Sequence, residues 1–376
     1  MSSGATAVKL GMRKPRAQGL VILVDALAAR FGGTAYVAVQ TSLELARHER
    51  VDRVVVVARA ASIVARGIGG RDSCVKLKLL RRADRLELAR RVTWQAAFLP
   101  RLVEQLRADG LLTFSGILPR PVNCRVVAHL SNPVMFERPG GSNRVRQWAI
   151  RRTVRSGAGV IVPSQGMARL AAIGGRSPDV VPHGLNHYAF RPAARPGQDV
   201  LCVADFYPHK RHDIVLAAWA ALPEPRPRLR LIGDPSVNRR HFKKIHSQAA
   251  ELMHLGAITF ESGLSLREVA SAYRSARALL LPSAHESFCL PLAESLASGV
   301  PAIVRDLPQL RETGGAGALY IDGDDPAAWS TALRGVLEDD GRHAAMRRQG
   351  IVYAARYSWR ALADAVVERL VEERDG

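Results

Sequence analysis

Residues 278–302 read ALLLPSAHESFCLPLAESLASGVPA, and this stretch decides the fold. Its start, Ala278–Leu281, has the length and composition of a buried parallel strand. A helix is predicted from about Leu290, since Pro291 suits a first turn, where its missing N–H would have no helical partner. Gly299 then supplies a stop signal. A strand, a loop and a helix in this order predict an α/β protein with a parallel sheet.

Two carboxylates flank the start of this helix. Glu286 lies on the loop before it and Glu294 on its opening turns, while the peptide N–H groups of Phe288, Cys289 and Leu290 can point at an anion or a sugar oxygen. In an open α/β sheet, ligands bind in the crevice at the carboxyl ends of the strands. An ionised glutamate only accepts hydrogen bonds and every sugar hydroxyl can donate one, so the pattern favours a hydroxyl-rich ligand.

The spacing of the two acids resembles a known family. Glu286 and Glu294 form an E-x7-E pair within HESFCLPLAESLASGVPAI, which is similar to the signature of retaining glycosyltransferases of family 4. The resemblance covers most of residues 20–360 and implies the GT-B fold, in which two Rossmann-like, doubly wound parallel-sheet domains face a central cleft. It implies that Glu286 binds the transferred sugar and Glu294 the nucleotide ribose. The family's two glycines are here Ser287 and Cys289, whose side chains would crowd the sugar.

The same resemblance implies an activity. We expect transfer of a sugar, with retention, from a nucleotide-diphosphate donor to a glycan or lipid-linked acceptor hydroxyl, in polysaccharide, lipopolysaccharide or glycolipid biosynthesis. The nucleotide sugar is a co-substrate, and no cofactor is expected. No metal is expected either: GT-B enzymes generally need none, and in the acidic run 322–325 Asp325 before Pro326 fits a helix N-cap.

Further candidate site residues lie on other predicted loops. Lys210 ends a loop before a helix, where a cation and helix N–H groups can bind a diphosphate. Five residues earlier the family has an arginine, whereas this sequence has Asp205. Gly33 lies in a glycine turn that the resemblance places opposite the donor diphosphate. His129 ends a strand close to the reacting sugar in the family. Gly263 lies where the family's backbone borders the nucleobase.

The length of 376 residues fits two domains of ordinary size. Alternating strands and helices in the first half predict a doubly wound sheet, with strands at Leu20–Asp25, Val54–Ala58, Leu111–Phe114, Val126–His129 and 160–164. We expect a basic tail (1–18), a first, acceptor-binding domain (19–190), a hinge (191–198) and a second, nucleotide-sugar domain (199–358). A last helix (359–376) is expected to cross back to the first domain.

The net charge of +20 is the outlier of the composition. Such a field attracts polyanions, among them nucleic acid, anionic membranes and phosphorylated substrates. Residues 75–91 and 144–155 combine arginines and lysines with apolar residues, which predicts basic amphipathic helices able to lie on an anionic membrane; solvated helix faces are the alternative. No nucleic-acid recognition motif is present, so no nucleic-acid partner is expected.

Four scattered cysteines without a C-x-x-C pair fit a reducing cytoplasm. The basic start followed by GLVILVDALAA imitates a signal peptide, but Asp25 interrupts the apolar run, which we interpret as a first strand. The predicted location is therefore cytoplasmic, with peripheral binding to the inner face of the membrane. Two alternatives stay open: a GT-B sugar-nucleotide epimerase, and a non-catalytic basic GT-B protein that binds nucleic acid or membrane.

Overall fold

The computed structural model describes residues 19–29, 32–60, 62–69, 75–80, 87–137, 140–172 and 177–372. The expected basic tail, residues 1–18, and Phe31 of the glycine turn lie outside the described residues. Within them, none of the helices has the length and apolar character needed to span a membrane.

The first sheet contains seven parallel strands in the order β3-β2-β1-β4-β5-β6-β7. Its core is built by runs such as Val54–Val57, which are buried on both faces because helices cover both sides. Every strand predicted for this half is present, with bounds that differ by at most a few residues. The strands are β1 Leu20–Asp25, β2 Val51–Arg59, β3 Val75–Leu80, β4 Gly110–Thr113, β5 Arg125–His129, β6 Gly159–Val162 and β7 Asp179–Val180. The helices are α1 Gly32–Arg47, α2 Ile63–Ile68, α3 Glu87–Leu106, α4 Val134–Glu137, α5 Gly141–Arg155 and α6 Gln165–Leu170.

The prediction of a helix over the basic stretch 75–91 is wrong for residues 75–80. Residues 75–80 form β3, the edge strand of the sheet, and pair in parallel with β2. The physical reason is the strict alternation of Val75-Lys76-Leu77-Lys78, which has the period of a strand, with Val75 buried and Lys76 exposed. Residues 81–86 lie outside the described residues, and α3 begins at Glu87.

The second sheet contains six parallel strands in the order β10-β9-β8-β11-β12-β13. Its first strand, β8, lies between β9 and β11, so the strand order reverses there, as it reverses at β1 in the first sheet. Such reversals open a crevice at the carboxyl ends of the strands. The strands are β8 Asp199–Val203, β9 Leu229–Ile232, β10 Ile258–Glu261, β11 Ala276–Leu281, β12 Ala302–Arg305 and β13 Ala318–Ile321. The helices are α7 His212–Ala220, α8 Arg239–Leu252, α9 Leu266–Ser275, α10 Leu290–Ala297, α11 Pro308–Gly314, α12 Pro326–Glu338, α13 Asp340–Ala354 and α14 Trp359–Val371.

Helix α14 follows the second domain in sequence but packs on the first. It lies against α1 and β5, where the Arg125 guanidinium donates to the Leu370 carbonyl over 3.1 Å. The chain enters α14 past Gly184: a Cβ on this glycine would lie 2.1 Å from the backbone nitrogen of Trp359. Only glycine therefore allows the crossing segment to pass this close.

Candidate active site

Lys210 and Glu286 meet at the carboxyl ends of the adjacent strands β8 and β11. A short 3₁₀ turn, Pro208–Lys210, presents the ammonium group, and the Ala284 N–H donates to the His209 carbonyl over 2.7 Å, which ties the two loops together. Lys210 Nζ lies 2.6 Å from Glu286 Oε1. Burial is the largest single influence and opposes the charge on Lys210, but Glu286, Cys289 and Asp205 together outweigh it and raise the pKa of the ammonium. Two of the predicted site residues thus form one charge-assisted hydrogen bond.

The loop after Glu286 turns sharply into α10. Cys289, the residue before the helix, has a φ of 70°, in the left-handed region that favours glycine. Cys289 lies beside Glu286 and Lys210, so the turn brings the Leu290 N–H at the start of α10 close to this pair. Pro291 has no N–H, and the Leu292 N–H donates to the Cys289 carbonyl over 3.1 Å. Burial raises the pKa of the Cys289 thiol well above its usual value, so the thiol stays neutral.

Glu294 lies within α10 and is 9% exposed. Its Oε2 accepts a hydrogen bond from the Tyr273 hydroxyl over 3.1 Å, and the same hydroxyl lies 3.1 Å from the Pro291 carbonyl. Burial raises the pKa of Glu294 from 4.5 to about 7, while the Tyr273 hydroxyl acts in the opposite direction. Burial raises the pKa of Tyr36, and the charge of Glu294 adds to this rise. The buried Tyr36 hydroxyl has no hydrogen-bond partner among the described residues.

The glycine turn of the first domain faces these loops across the cleft. A Cβ on Gly33 would lie 3.7 Å from Leu290 Cδ1, so the predicted site residues Gly33 and Leu290 are neighbours. Gly32 has a φ of 59°, and a Cβ there would lie 3.0 Å from Asp205 Oδ2. Asp205 accepts the Asp234 N–H over 3.0 Å, and burial raises its pKa. The position that holds arginine in the resembled family therefore places a carboxyl group opposite the N-terminus of α1.

His129 does end β5, but it is 2% exposed and paired. Its Nε2 lies 3.3 Å from Nε2 of His183, so one imidazole donates and the other accepts. Burial lowers the pKa of His129 to about 4 and that of His183 well below its usual value, which keeps both rings neutral. His183 packs in turn against Phe288, with ring centroids 5.0 Å apart. His129 is thus linked to the loop that carries Glu286 through a second histidine.

Two predicted features lie apart from this group. Gly263 follows β10, the edge strand two places from β8, with a φ of 69° and open space around it. In the acidic run 322–325, Asp325 caps α12 by accepting the Ala327 N–H over 3.1 Å, as expected. Asp324 pairs with Arg211 and Arg305.

Sequence reasoning missed several residues that contact the site. Tyr273 gave no signal, because its place beneath Glu294 depends on how α9 packs. For His183 the sequence does hold a signal, because this residue lies in the turn VPHGLN, where the resembled family has I-P-N-G-V-D. Glu137 and Ser164 of the first domain bond to His285 and Ser287 on the loop that carries Glu286.

Two parallel α/β domains with facing switch-point crevices define the class as GT-B. The solved structures agree on this fold. Sucrose-phosphate synthase from Thermosynechococcus elongatus superimposes with a TM-score of 0.80 at 19% identity, covering 93% of this chain and 98% of that one. Anabaena HepE in complex with UDP-glucose gives 0.77 at 14% identity, covering 93% and 99%. WaaG, a glycosyltransferase involved in lipopolysaccharide biosynthesis, gives 0.72 at 15% identity, covering 94% and 100%.

Residues 191–353, which include most of the second domain, match the family described as glycosyl transferases group 1. The D-inositol 3-phosphate glycosyltransferase of Thermobispora bispora is 32% identical over 213 residues, which are 51% of this chain and 50% of that protein. The protein of the same name from Corynebacterium urealyticum is 34% identical over 162 residues, 41% of this chain and 38% of that protein. The chain thus spans half or less of the length of these relatives.

Proposed function

We propose that this protein is a retaining glycosyltransferase that moves a sugar from a nucleotide-diphosphate donor to an acceptor hydroxyl. One observation carries the proposal: Lys210, Glu286 and the N-terminus of α10 converge at the switch point of a domain that matches the glycosyl transferases group 1 over most of its length. The first residue is a cation, the second a pure hydrogen-bond acceptor, and the helix end offers an N–H donor. A diphosphate and a sugar need these three groups.

The chemistry follows from the charges. As the bond between the anomeric carbon and the diphosphate breaks, the leaving oxygen keeps the electron pair and gains negative charge. Lys210 and the Leu290 N–H at the start of α10 oppose that charge. Removal of one such preorganised donor typically slows a reaction about 100- to 1,000-fold. A new bond forms between the anomeric carbon and the acceptor oxygen, and the proton of the acceptor hydroxyl passes to the leaving diphosphate oxygen. No metal ion is needed for this charge compensation.

Glu286 and Glu294 act by positioning. Glu286 accepts hydrogen bonds from the sugar hydroxyls, and Glu294 accepts from the ribose. Orientation of this kind can account for several kcal/mol of the barrier. Glu294 is ionised when it accepts from two hydroxyls, so donor binding favours the carboxylate over the carboxylic acid, which is half populated near pH 7 without donor.

Activity measurements with the purified chain test this proposal. UDP-, GDP- and ADP-sugars are offered with and without glycan, lipid and inositol phosphate acceptors, the last because the relatives are named for one. We expect the wild type and the control Glu251→Ala to transfer sugar, since Glu251 is exposed on α8. We expect no transfer by Glu286→Ala. Epimerised donor in the absence of acceptor would favour the epimerase. Full activity of Glu286→Ala would refute the role of this residue.

We also propose that α5 binds an anionic membrane surface, where a lipid-linked acceptor would lie. Val145 and Trp148 are each 61% exposed on this helix, and Arg152 lies beside the Trp148 ring. Each arginine near such a surface contributes about 1 kcal/mol. The exposed arginines of α5 are Arg144, Arg151, Arg152 and Arg155.

Co-sedimentation with vesicles tests this second proposal. We expect binding to vesicles rich in phosphatidylglycerol, little binding to phosphatidylcholine, and a loss of binding in Trp148→Ala combined with Arg152→Glu. Equal binding by the wild type and this variant would show that α5 is an ordinary solvated helix.

A further inference from the structure

The loop that carries Glu286 belongs to the second domain, yet the first domain holds it at three positions. We call residues 285–289 the signature loop. The Glu137 carboxylate contacts Nδ1 of His285, and the Ser164 hydroxyl donates to the Ser287 carbonyl over 2.7 Å. The His183 ring packs on Phe288 with centroids 5.0 Å apart. Contacts from the first domain therefore lie on both sides of Glu286 along the chain.

Glu286 itself bonds to Lys210 of its own domain. The loop around it ends at Cys289 with a φ of 70°, in the left-handed region that residues with a side chain rarely adopt. Such a loop keeps its shape only while surrounding contacts hold it. Since part of those contacts comes from the other domain, the position of the Glu286 carboxylate depends on the two domains being closed on each other.

Ser164 is well placed to transmit this closure. It is 2% exposed and caps α6, with its oxygen accepting the Met167 N–H over 3.1 Å while the hydroxyl donates to the signature loop. The next two N–H groups, of Gln165 and Gly166, donate to the Glu312 carboxylate of α11 over 2.6 and 2.7 Å. These bonds fix the start of α6 against the second domain, and they also fix the direction in which the Ser164 hydroxyl points.

We propose that Glu137 and Ser164 are positioning residues that make productive placement of Glu286 depend on domain closure. This inference rests on the proposed glycosyltransfer. Neither residue needs to touch the donor. Glu137 reaches the signature loop through the ring of His285, and Ser164 reaches it through the backbone of Ser287. Their loss therefore slows the chemical step and leaves the affinity for the nucleotide diphosphate, which Glu286 does not bind, nearly unchanged.

The Ser164 variants give the cleaner test because the chain offers a matched control. Ser164→Ala removes both the cap and the loop contact, and Ser164→Thr keeps both. Ser62→Ala removes an N-cap from α2, another six-residue helix of the first domain, and touches no part of the loop. We expect kcat to fall about 10-fold or more in Ser164→Ala, since small misplacements of catalytic groups can cost up to 100-fold. The Kd for the free nucleotide diphosphate, which lacks the sugar that Glu286 holds, should stay within about two-fold. Ser164→Thr and Ser62→Ala should keep the wild-type kcat.

Glu137→Gln is compared with Glu44→Gln, which breaks an exposed pair with Arg47 on α1. Hydrogen–deuterium exchange adds a readout that needs no turnover: amides of residues 285–290 should exchange faster in Ser164→Ala and Glu137→Gln, and not in the two controls. Unchanged exchange and unchanged kcat in both variants would overturn the inference. So would a loss of kcat that Ser62→Ala reproduces. If the wild type transfers no sugar from any donor, the proposed function fails, while the exchange data still decide whether the first domain holds the loop.

Discussion

Replacement of Glu294 by glutamine should change the pH dependence of stability. In the folded chain Glu294 is 9% exposed and burial raises its pKa from 4.5 to about 7. A raised folded-state pKa means that the folded state binds more protons than the unfolded state between these two values. The contribution of Glu294 to the free energy of unfolding is therefore fully present below pH 4.5 and is lost as the pH rises through 7.

The magnitude follows from the two pKa values. Integrated over the titration, the free energy of unfolding of the wild type falls by about 2–3 kcal/mol between pH 5 and pH 8.5 on account of this one group. Glutamine does not titrate, and its carbonyl can still accept from the Tyr273 hydroxyl. The free energy of unfolding of Glu294→Gln minus that of the wild type should therefore be about 2–3 kcal/mol larger at pH 8.5 than at pH 5.

Urea unfolding of both proteins at pH 5 and pH 8.5 measures this difference directly. Glu251→Gln serves as the control, because Glu251 is exposed on α8. An equal difference in the free energy of unfolding between Glu294→Gln and the wild type at both pH values would refute this role of Glu294. The same variant should bind nucleotide sugar more weakly, since an amide offers one acceptor oxygen where the carboxylate offers two.

Three further changes test other parts of the site. Lys210→Ala should lower transfer by about 100-fold or more, measured as kcat/KM, because Glu286 would then face the diphosphate without a cation; a drop below three-fold would contradict this. Asp205→Asn should tighten donor binding several-fold in calorimetry, since a carboxyl group beside Gly32 repels phosphate; weaker binding would show that Asp205 supports the loop instead. Gly184→Ala should lower the melting temperature markedly, because its Cβ would lie 2.1 Å from the Trp359 nitrogen; an unchanged melting curve would mean that the crossing segment shifts freely.

The sequence predicted most of the framework because buried parallel strands have a clear local pattern. The first strand, Leu20–Asp25, appears with the bounds expected from its apolar run. Lys210 and Glu286 were placed on loops after two strands of the same sheet, and their contact follows once those strands, β8 and β11, are neighbours. The resemblance supplied their roles, which stay predictions.

Other features could not be predicted from local pattern. The many charges of the basic stretch 75–91 suggest an amphipathic helix, although the alternation in 75–78 is that of a strand. The partners of Glu294 and His129, which are Tyr273 and His183, come from distant parts of the chain. Their contacts depend on how helices pack and on how the two domains meet, and no short stretch of sequence encodes either.

The return of α14 to the first domain has a consequence for biosynthesis and engineering. Helix α14 is synthesised after the whole second domain, so the flank of α1 that it covers stays bare until then, and only then can His48 meet Asp364, 3.2 Å away. The amino-terminal half therefore cannot mature on its own during synthesis. Anyone who grafts it onto a different catalytic half to change the acceptor should transplant residues 359–372 along with it.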